Sequence, residues 1–247
     1  MDSAGFGGAV YIVNLVLDGI LGPDISGLTI TLNDCTLVSS TASGYDYGIG
    51  GGAIGVESSQ DSAVSLTSDN CLMAKNIACR YGGAFSVKYS ATVRLSGCAL
   101  TANTAEDGGG AIFAQAGDGD VIDAAELQIE LDGCVLTNNS RSAIYVDAGV
   151  VELNNCLLAA NSANGNSNGG ALNTQSGTAI LNGRDLISNI ATYNDDAIYA
   201  ITGDIYLYGC ALKANSAING RGSIAYSGQT ADWYSMRAGL LVITTAE

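Results

Sequence analysis

The chain has 247 residues and a formal net charge of −15, from 9 basic against 24 acidic side chains, and it contains no histidine. A surface of that sign repels nucleic acid and anionic membrane, and the missing imidazole removes Ser-His-Asp and Cys-His catalysis and every His-ligated zinc site. With 33 glycines, one proline and 47% hydrophobic residues, the composition disfavours helices, where an interior glycine costs about 1 kcal/mol against alanine. It favours a turn-dense all-β protein that uses glycine at positive φ.

In chain order, the segment up to Ala9 lacks the basic start and apolar stretch of a signal peptide. The first repeated unit is Gly7-Gly8-Ala9-Val10, followed by Cys35, Leu37 and Ser40. The same two signals then alternate along the chain. Gly51-Gly52-Ala53-Ile54 leads to Cys71, Met73 and Asn76; Gly82-Gly83-Ala84-Phe85 to Cys98, Leu100 and Asn103; Gly109-Gly110-Ala111-Ile112 to Cys134, Leu136 and Asn139. The degenerate marker Arg141-Ser142-Ala143-Ile144 leads to Cys156, Leu158 and Asn161, and Gly169-Gly170-Ala171-Leu172 to Arg184, Leu186 and Asn189. Asp195-Asp196-Ala197-Ile198 leads to Cys210, Leu212 and Asn215, and a last marker, Arg221-Gly222-Ser223-Ile224, precedes the apolar run Leu240-Leu241-Val242-Ile243. That run is too short to span a bilayer.

Ala143 to Ala171 is 28 positions and Ala171 to Ala197 is 26, the period of one solenoid coil. Within a period, apolar and polar residues alternate at the spacing of strands. Ile144, Val146, Val151, Leu153, Cys156 and Leu158 are expected to point inward, with Leu172, Thr174, Ala179, Leu181, Arg184 and Leu186 in the same slots of the next coil; Arg184 is expected to turn outward. The pattern predicts an all-β, right-handed parallel β-helix of about seven coils from Gly7 to Ile224. It is read as one domain over 1–247, a segment of a longer protein, with 225–247 as a C-terminal cap or interface. The long step from Ala111 to Cys134 predicts an outward loop at Asp118-Gly119-Asp120.

The Gly-Gly-Ala-Ile and Leu-x-x-Asn pair resembles the Gly-Gly-Ala-Ile and Phe-x-x-Asn repeats of the polymorphic outer-membrane protein family, with Met73, Leu100, Leu136, Leu158, Leu186 and Leu212 in the Phe slot. The resemblance covers nearly the whole chain. It implies the β-helical passenger of an autotransported surface adhesin, hence a non-enzymatic structural or adhesive role at the cell surface or outside the cell. The chain departs from that family in lacking a run of alternating strands for a closing barrel after Ile224, and in carrying cysteines in an apolar slot.

The column Asn76, Asn103, Asn139, Asn161, Asn189 and Asn215 is read as structural, with side chains bonding along the axis and to amides freed at a turn. The column Cys98, Cys134, Cys156 and Cys210, with Cys35 and Cys71 before it, is read as buried thiols; in an oxidising compartment neighbouring rungs bring Cα atoms within disulfide range. Cys79 lies outside the pattern. An outward strip is the candidate partner-binding or glycan-binding site: Phe113, Tyr145 and Tyr199 are expected as an exposed aromatic row beside Gln115, Asp147 and Gln175, a combination suited to sugar rings or a partner's extended surface. Glu106-Asp107, Asp118 with Asp120 and Asp123, and Asp195-Asp196 are read as solvated acids, matching no calcium motif. Asn138 heads a glycosylation sequon. No metal or cofactor is expected. The alternative is a polysaccharide-binding or polysaccharide-degrading β-helix, but no stacked acidic pair occupies the strip. An ice-binding face would need a Thr ladder, which Thr29 and Thr31 do not sustain. The expected partners are other subunits or further coils covering the ends of the solenoid.

Overall fold

A computed structural model of the chain describes residues 3–4, 9–14, 28–43, 50–58, 64–117, 127–164, 168–183, 185–192, 197–202, 204–217, 224–226, 231–237 and 240–245. Every regular element among them is a strand. Strands one period apart pair in parallel and in register, so the chain winds into a parallel β-helix. Gly7-Gly8, the loop at Asp118, Arg184 and Asp195-Asp196 lie outside the described residues.

Each coil contributes to three long sheets. The first follows the Gly-Gly-Ala marker and has eight strands, among them Ile54–Ser58, Phe85–Lys88, Ile112–Gln115, Ile144–Val146 and Leu172–Thr174. The second includes Val64–Asp69, Ala91–Ser96, Leu127–Asp132, Val150–Asn154 and Thr178–Asn182. The third has seven strands, from Thr36–Val38 to Ala211–Lys213, each just after the cysteine slot. Two-residue strands after the Asn complete the coil, Ile77–Ala78 and Ser162–Ala163 among them. Seven strands in the third sheet correspond to the seven coils expected from the markers. The repeat length varies widely: consecutive ladder asparagines are 27, 36, 22, 28 and 26 residues apart. The paired strands keep their register across all of these lengths.

The second sheet departs from parallel order at one edge. Leu240–Thr245 pairs antiparallel with Asp204–Tyr208, with Ile205 opposite Ile243, and Ala231–Arg237 pairs antiparallel with it in turn. A backbone hairpin therefore occupies the edge that a further coil would otherwise take.

The marker explains itself sterically. Ala53, Ala84, Ala111, Ala143, Ala171 and Ala197 form one fully buried column. The glycine before Ala53, Ala84, Ala111 and Ala171 passes so close to neighbouring backbone that a side chain has no room: a Cβ on Gly83 would lie 2.2 Å from the Gly110 carbonyl oxygen, and one on Gly110 1.8 Å from that of Ser140; Ser142 holds this place before Ala143. The inward slots expected from the period-two pattern are buried, including Ile144, Val146, Val151, Leu153, Cys156 and Leu158. Each rung therefore buries its apolar face only against its neighbours.

The corners carry the polar ladders. One left-handed residue precedes every cysteine of the column: Asp34, Asn70, Gly97, Gly133, Asn155 and Gly209. Another precedes every ladder Asn: Lys75, Ala102, Asn138, Ala160, Ser188 and Ala214. Most of the second set are side chains that pay about 1–2 kcal/mol for that conformation. The Asn ladder offsets the strain. Asn103 Oδ1 accepts from the Asn76 amide and from Asn76 Nδ2, both at 3.0 Å, while Asn103 Nδ2 donates to Met73 O at 2.9 Å and Asn139 Oδ1 at 3.1 Å. The pattern repeats through Asn139, Asn161 and Asn189 to Asn215, whose Nδ2 donates to Leu186 O. At the first rung Ser40 replaces Asn, and its amide still donates to Asn76 Oδ1. The ladder supplies the acceptors for the backbone amides of Ser40, Asn76, Asn103, Asn139, Asn161 and Asn189.

Candidate functional site

The outward strip of the first sheet is in the register expected from the marker. Gly55, Ser86, Phe113, Tyr145, Asn173, Tyr199 and Ala225 are consecutive pairing partners. Alternation along the strand directs these residues away from the core.

One expectation fails here. Phe113 is not part of an exposed row: it is 2% exposed. Tyr81 stacks on it with ring centroids 4.2 Å apart and an interplanar angle of 20°, and Tyr145 packs on it at 5.5 Å. Tyr81 reaches this position from the corner just before the marker, where its backbone bridges to Gly108. Gly108 leaves room for the Tyr145 ring, whose Cδ2 would lie 2.9 Å from an added Cβ. The Arg80 guanidinium lies 5.1 Å from the Tyr81 centroid and is held by Asp107 at 3.0 Å, so a cation and its acid cover the cluster from outside.

Tyr145, Tyr199, Gln115, Asp147 and Gln175 are half-buried. Gln115 Nε2 donates to Asp147 Oδ2 at 2.9 Å, and Gln175 Nε2 donates to the Tyr145 hydroxyl. Burial, and then the Asp147 charge, push the Tyr145 hydroxyl well above the usual phenol range. Lys88, in the slot beside Gln115, is nearly buried with its Nζ 4.8 Å from the Tyr89 ring centroid. The polar members of the strip are thus largely engaged with one another. The exceptions are Ser86, whose Oγ is buried without a hydrogen-bond partner, and Asn173, between Tyr145 and Tyr199, whose Oδ1 is buried likewise.

Two further surfaces carry information that the strip does not. On the second sheet, Glu130 pairs in register with Glu152, and Arg94 Nε lies 3.2 Å from Glu130 Oε2. On the third sheet, the outward face of the first five strands is uncharged, mixing aliphatic side chains with threonines. Val38, Leu72 and Val135 are exposed there, joined at the adjacent corner by Ile77 and Ile190. None of the first five strands of that sheet, Thr36–Val38 through Leu157–Ala159, contains a charged residue. The first acid and base of the sheet, Asp185 and Lys213, pair with each other at 3.0 Å. The signal for this face was present in the variable positions flanking the Leu of each Cys-x-Leu-x unit. Those positions hold Leu72, Ala99, Val135 and Leu157 on one side, and Ala74, Thr101, Thr137 and Ala159 on the other.

Cys35, Cys71, Cys98, Cys134 and Cys156 occupy successive rungs as free thiols, and Cys71 through Cys156 are buried. Hydrogen bonding to Cys134, then burial, raises the Cys98 thiol; bonding to Cys156 raises Cys134; the same contact lowers Cys156. Among the described residues no three His, Cys, Asp or Glu side chains converge as a metal site, and no helix is long and apolar enough to cross a membrane. The chain matches no protein-family model, no curated protein and no solved structure.

Proposed function

We propose that this β-helix is a non-enzymatic structural or adhesive module of a cell-surface or extracellular assembly, similar to the passenger domains of polymorphic outer-membrane proteins and working through its lateral faces. The observation that carries the reading is the uncharged face of the first five strands of the third sheet on a chain of net charge −15. Exposed Val38, Leu72 and Val135 lie on that sheet, and Ile77 follows Leu72 round the adjacent corner; exposed apolar side chains gathered on an uncharged face favour protein–protein contact. The strongly acidic remainder keeps the chain soluble and restricts close approach to that face.

The test uses beads coated with the chain, measured for retention on immobilised protein and polysaccharide matrices. Retention on a protein matrix should fall at least tenfold with Val135→Asp or Ile77→Asp and should be unchanged by Tyr145→Ala. Loss of retention with Tyr145→Ala alone would refute the assignment of the face.

A second reading, polysaccharide binding or cleavage, is favoured by the unpartnered Asn173 Oδ1 between two half-buried tyrosines and by the Glu130–Glu152 pair. Retention on polysaccharide that Asn173→Ala abolishes would support binding. Turnover of acidic or neutral polysaccharides that Asp147→Asn or Glu130→Gln abolishes would overturn the non-enzymatic reading.

A further inference from the structure

The second sheet ends differently at its two edges. At one edge Leu240–Thr245 lies antiparallel on Asp204–Tyr208, and the inward Ile205 and Leu207 of the covered strand are 0% and 3% exposed. At the other edge is Leu28–Asn33, which pairs with Val64–Asp69 and with no other strand among the described residues. Its inward Leu28, Ile30 and Leu32 pack against the core but stay half-buried, whereas Val64 and Leu66, one rung further in, are buried. Cys35 and Leu37 of the same rung are also half-buried, and their equivalents Cys71 and Met73 are buried. Strand edges are commonly protected by charge, proline or a bulge. The strands that carry the three long sheets through this rung, Val10–Asn14, Leu28–Asn33 and Thr36–Val38, contain no charged residue and no proline. The strand that closes the opposite edge, Leu-Leu-Val-Ile-Thr-Thr, is of the same aliphatic and threonine kind.

The open edge is also a palindrome: Leu28-Thr29-Ile30-Thr31-Leu32 reads alike in both directions. In an antiparallel pair, residues directly opposite each other lie on one face. Two such strands centred on Ile30 set Leu28 against Leu32, Ile30 against Ile30 and Thr29 against Thr31. Every inward side chain then meets an aliphatic one, and every outward threonine meets a threonine. A two-fold contact demands this self-complementarity, because residue i meets j where j meets i. We propose that Leu28–Asn33 is a dimerisation edge, paired antiparallel about a two-fold axis with the same strand of a second copy of this chain. The contact joins two second sheets into one and covers the half-buried Leu28, Ile30 and Leu32 of both copies. Ser3–Ala4 extends the short corner sheet one strand beyond Thr41–Ala42, which blocks a coaxial junction there, so the two solenoids meet at an angle. The hairpin occupies the far edge of the second sheet, so head-to-tail growth through that sheet is closed and the assembly is a pair, not a filament.

The palindrome makes the register testable by charge. Sedimentation velocity of the full 247-residue chain, kept reduced, should show a monomer–dimer equilibrium that moves toward dimer with concentration. Thr29→Lys combined with Thr31→Lys sets lysine against lysine at both threonine pairs and should weaken association by about tenfold or more. Thr29→Lys combined with Thr31→Glu sets lysine against glutamate at both and should bring the dimer back. Both threonines are exposed and their in-register neighbours are Ser65 and Thr67, so circular dichroism should give the same strand signal for all three proteins. Val135→Asp, on the third sheet, should leave the dimer intact, which separates this contact from the face to which adhesion is assigned above. A chain that stays monomeric at every concentration, species that grow beyond the dimer, equal weakening by the two double variants, or loss of the dimer with Val135→Asp would overturn the proposal.

Discussion

Replacing Asn139 by alanine removes one link of the axial amide ladder. Asn139 is 1% exposed. Its Oδ1 accepts from the Asn103 amide at 2.9 Å and from Asn103 Nδ2 at 3.1 Å, and its Nδ2 donates to Leu100 O at 2.9 Å and Asn161 Oδ1 at 3.0 Å. Alanine leaves two Asn103 donors without this acceptor, in a site water does not reach. At about 1–3 kcal/mol for each buried group left unsatisfied, Asn139→Ala should cost about 3–5 kcal/mol, a large share of a domain stability of about 5–15 kcal/mol. Asn215→Ala removes the same two kinds of acceptor contact, from Asn189, at a half-buried rung where water can substitute. It should cost about 1–2 kcal/mol. Asn139→Asp sharpens the test. An ionised carboxylate keeps the acceptor but presents negative oxygen to Leu100 O and Asn161 Oδ1, so its folded pKa is raised. The variant should be more stable at acid pH, where the protonated carboxyl can donate, and lose that stability as pH rises through the folded pKa. Urea unfolding followed by circular dichroism measures all three. A cost below about 1 kcal/mol for Asn139→Ala, or equal costs for both alanine variants, would refute the ladder as the source of corner stability.

Three further outcomes follow from the geometry. Gly110→Ala places a Cβ 1.8 Å from the Ser140 carbonyl oxygen and should abolish cooperative folding, whereas Gly133→Ala, at φ 60° with nothing within 4 Å, should cost only about 1–2 kcal/mol of left-handed strain; thermal melts compare them. Because the folded pKa of Tyr145 is raised by burial and by Asp147, its contribution is intact below the unfolded value near 10. Wild-type stability should therefore fall more steeply above pH 10 than that of Tyr145→Phe in urea titrations at stepped pH. Arg94→Ala removes a pair whose members are 54% and 46% exposed and should change stability by less than about 1 kcal/mol.

The axial features were legible in the sequence because they recur. The buried alanine column, the Asn ladder and the cysteine column each need one residue per coil at a fixed offset, so simple spacing exposes them. The register of the outward strip was legible for the same reason. Its exposure was not. Whether Phe113 meets solvent depends on Tyr81, which sits before the marker in a corner where positive φ redirects the chain, and nothing periodic reports where that ring lands. The uncharged face of the third sheet is a different case. Its residues alternate with the inward Leu and so were visible, but tripeptides such as Leu72–Ala74 and Val135–Thr137 are too short for their outward members to stand out as a surface until the rungs are stacked. The Glu130–Glu152 pair likewise belongs to two strands separated by a variable corner, and it appears only once their register is known.

The head-to-tail bonding of the asparagines also bears on how such a chain changes length over evolution. Every joint between rungs from Asn76 to Asn189 is made by the same donors and acceptors. Excising a whole period, such as the 28 residues separating Asn161 from Asn189, brings together two surfaces that already match. Excising half a period sets a sheet strand against a corner and breaks every ladder at once. Duplication in register therefore preserves the joints of this architecture, and the spacing of 22 to 36 residues between ladder asparagines shows that a period can change length without breaking them.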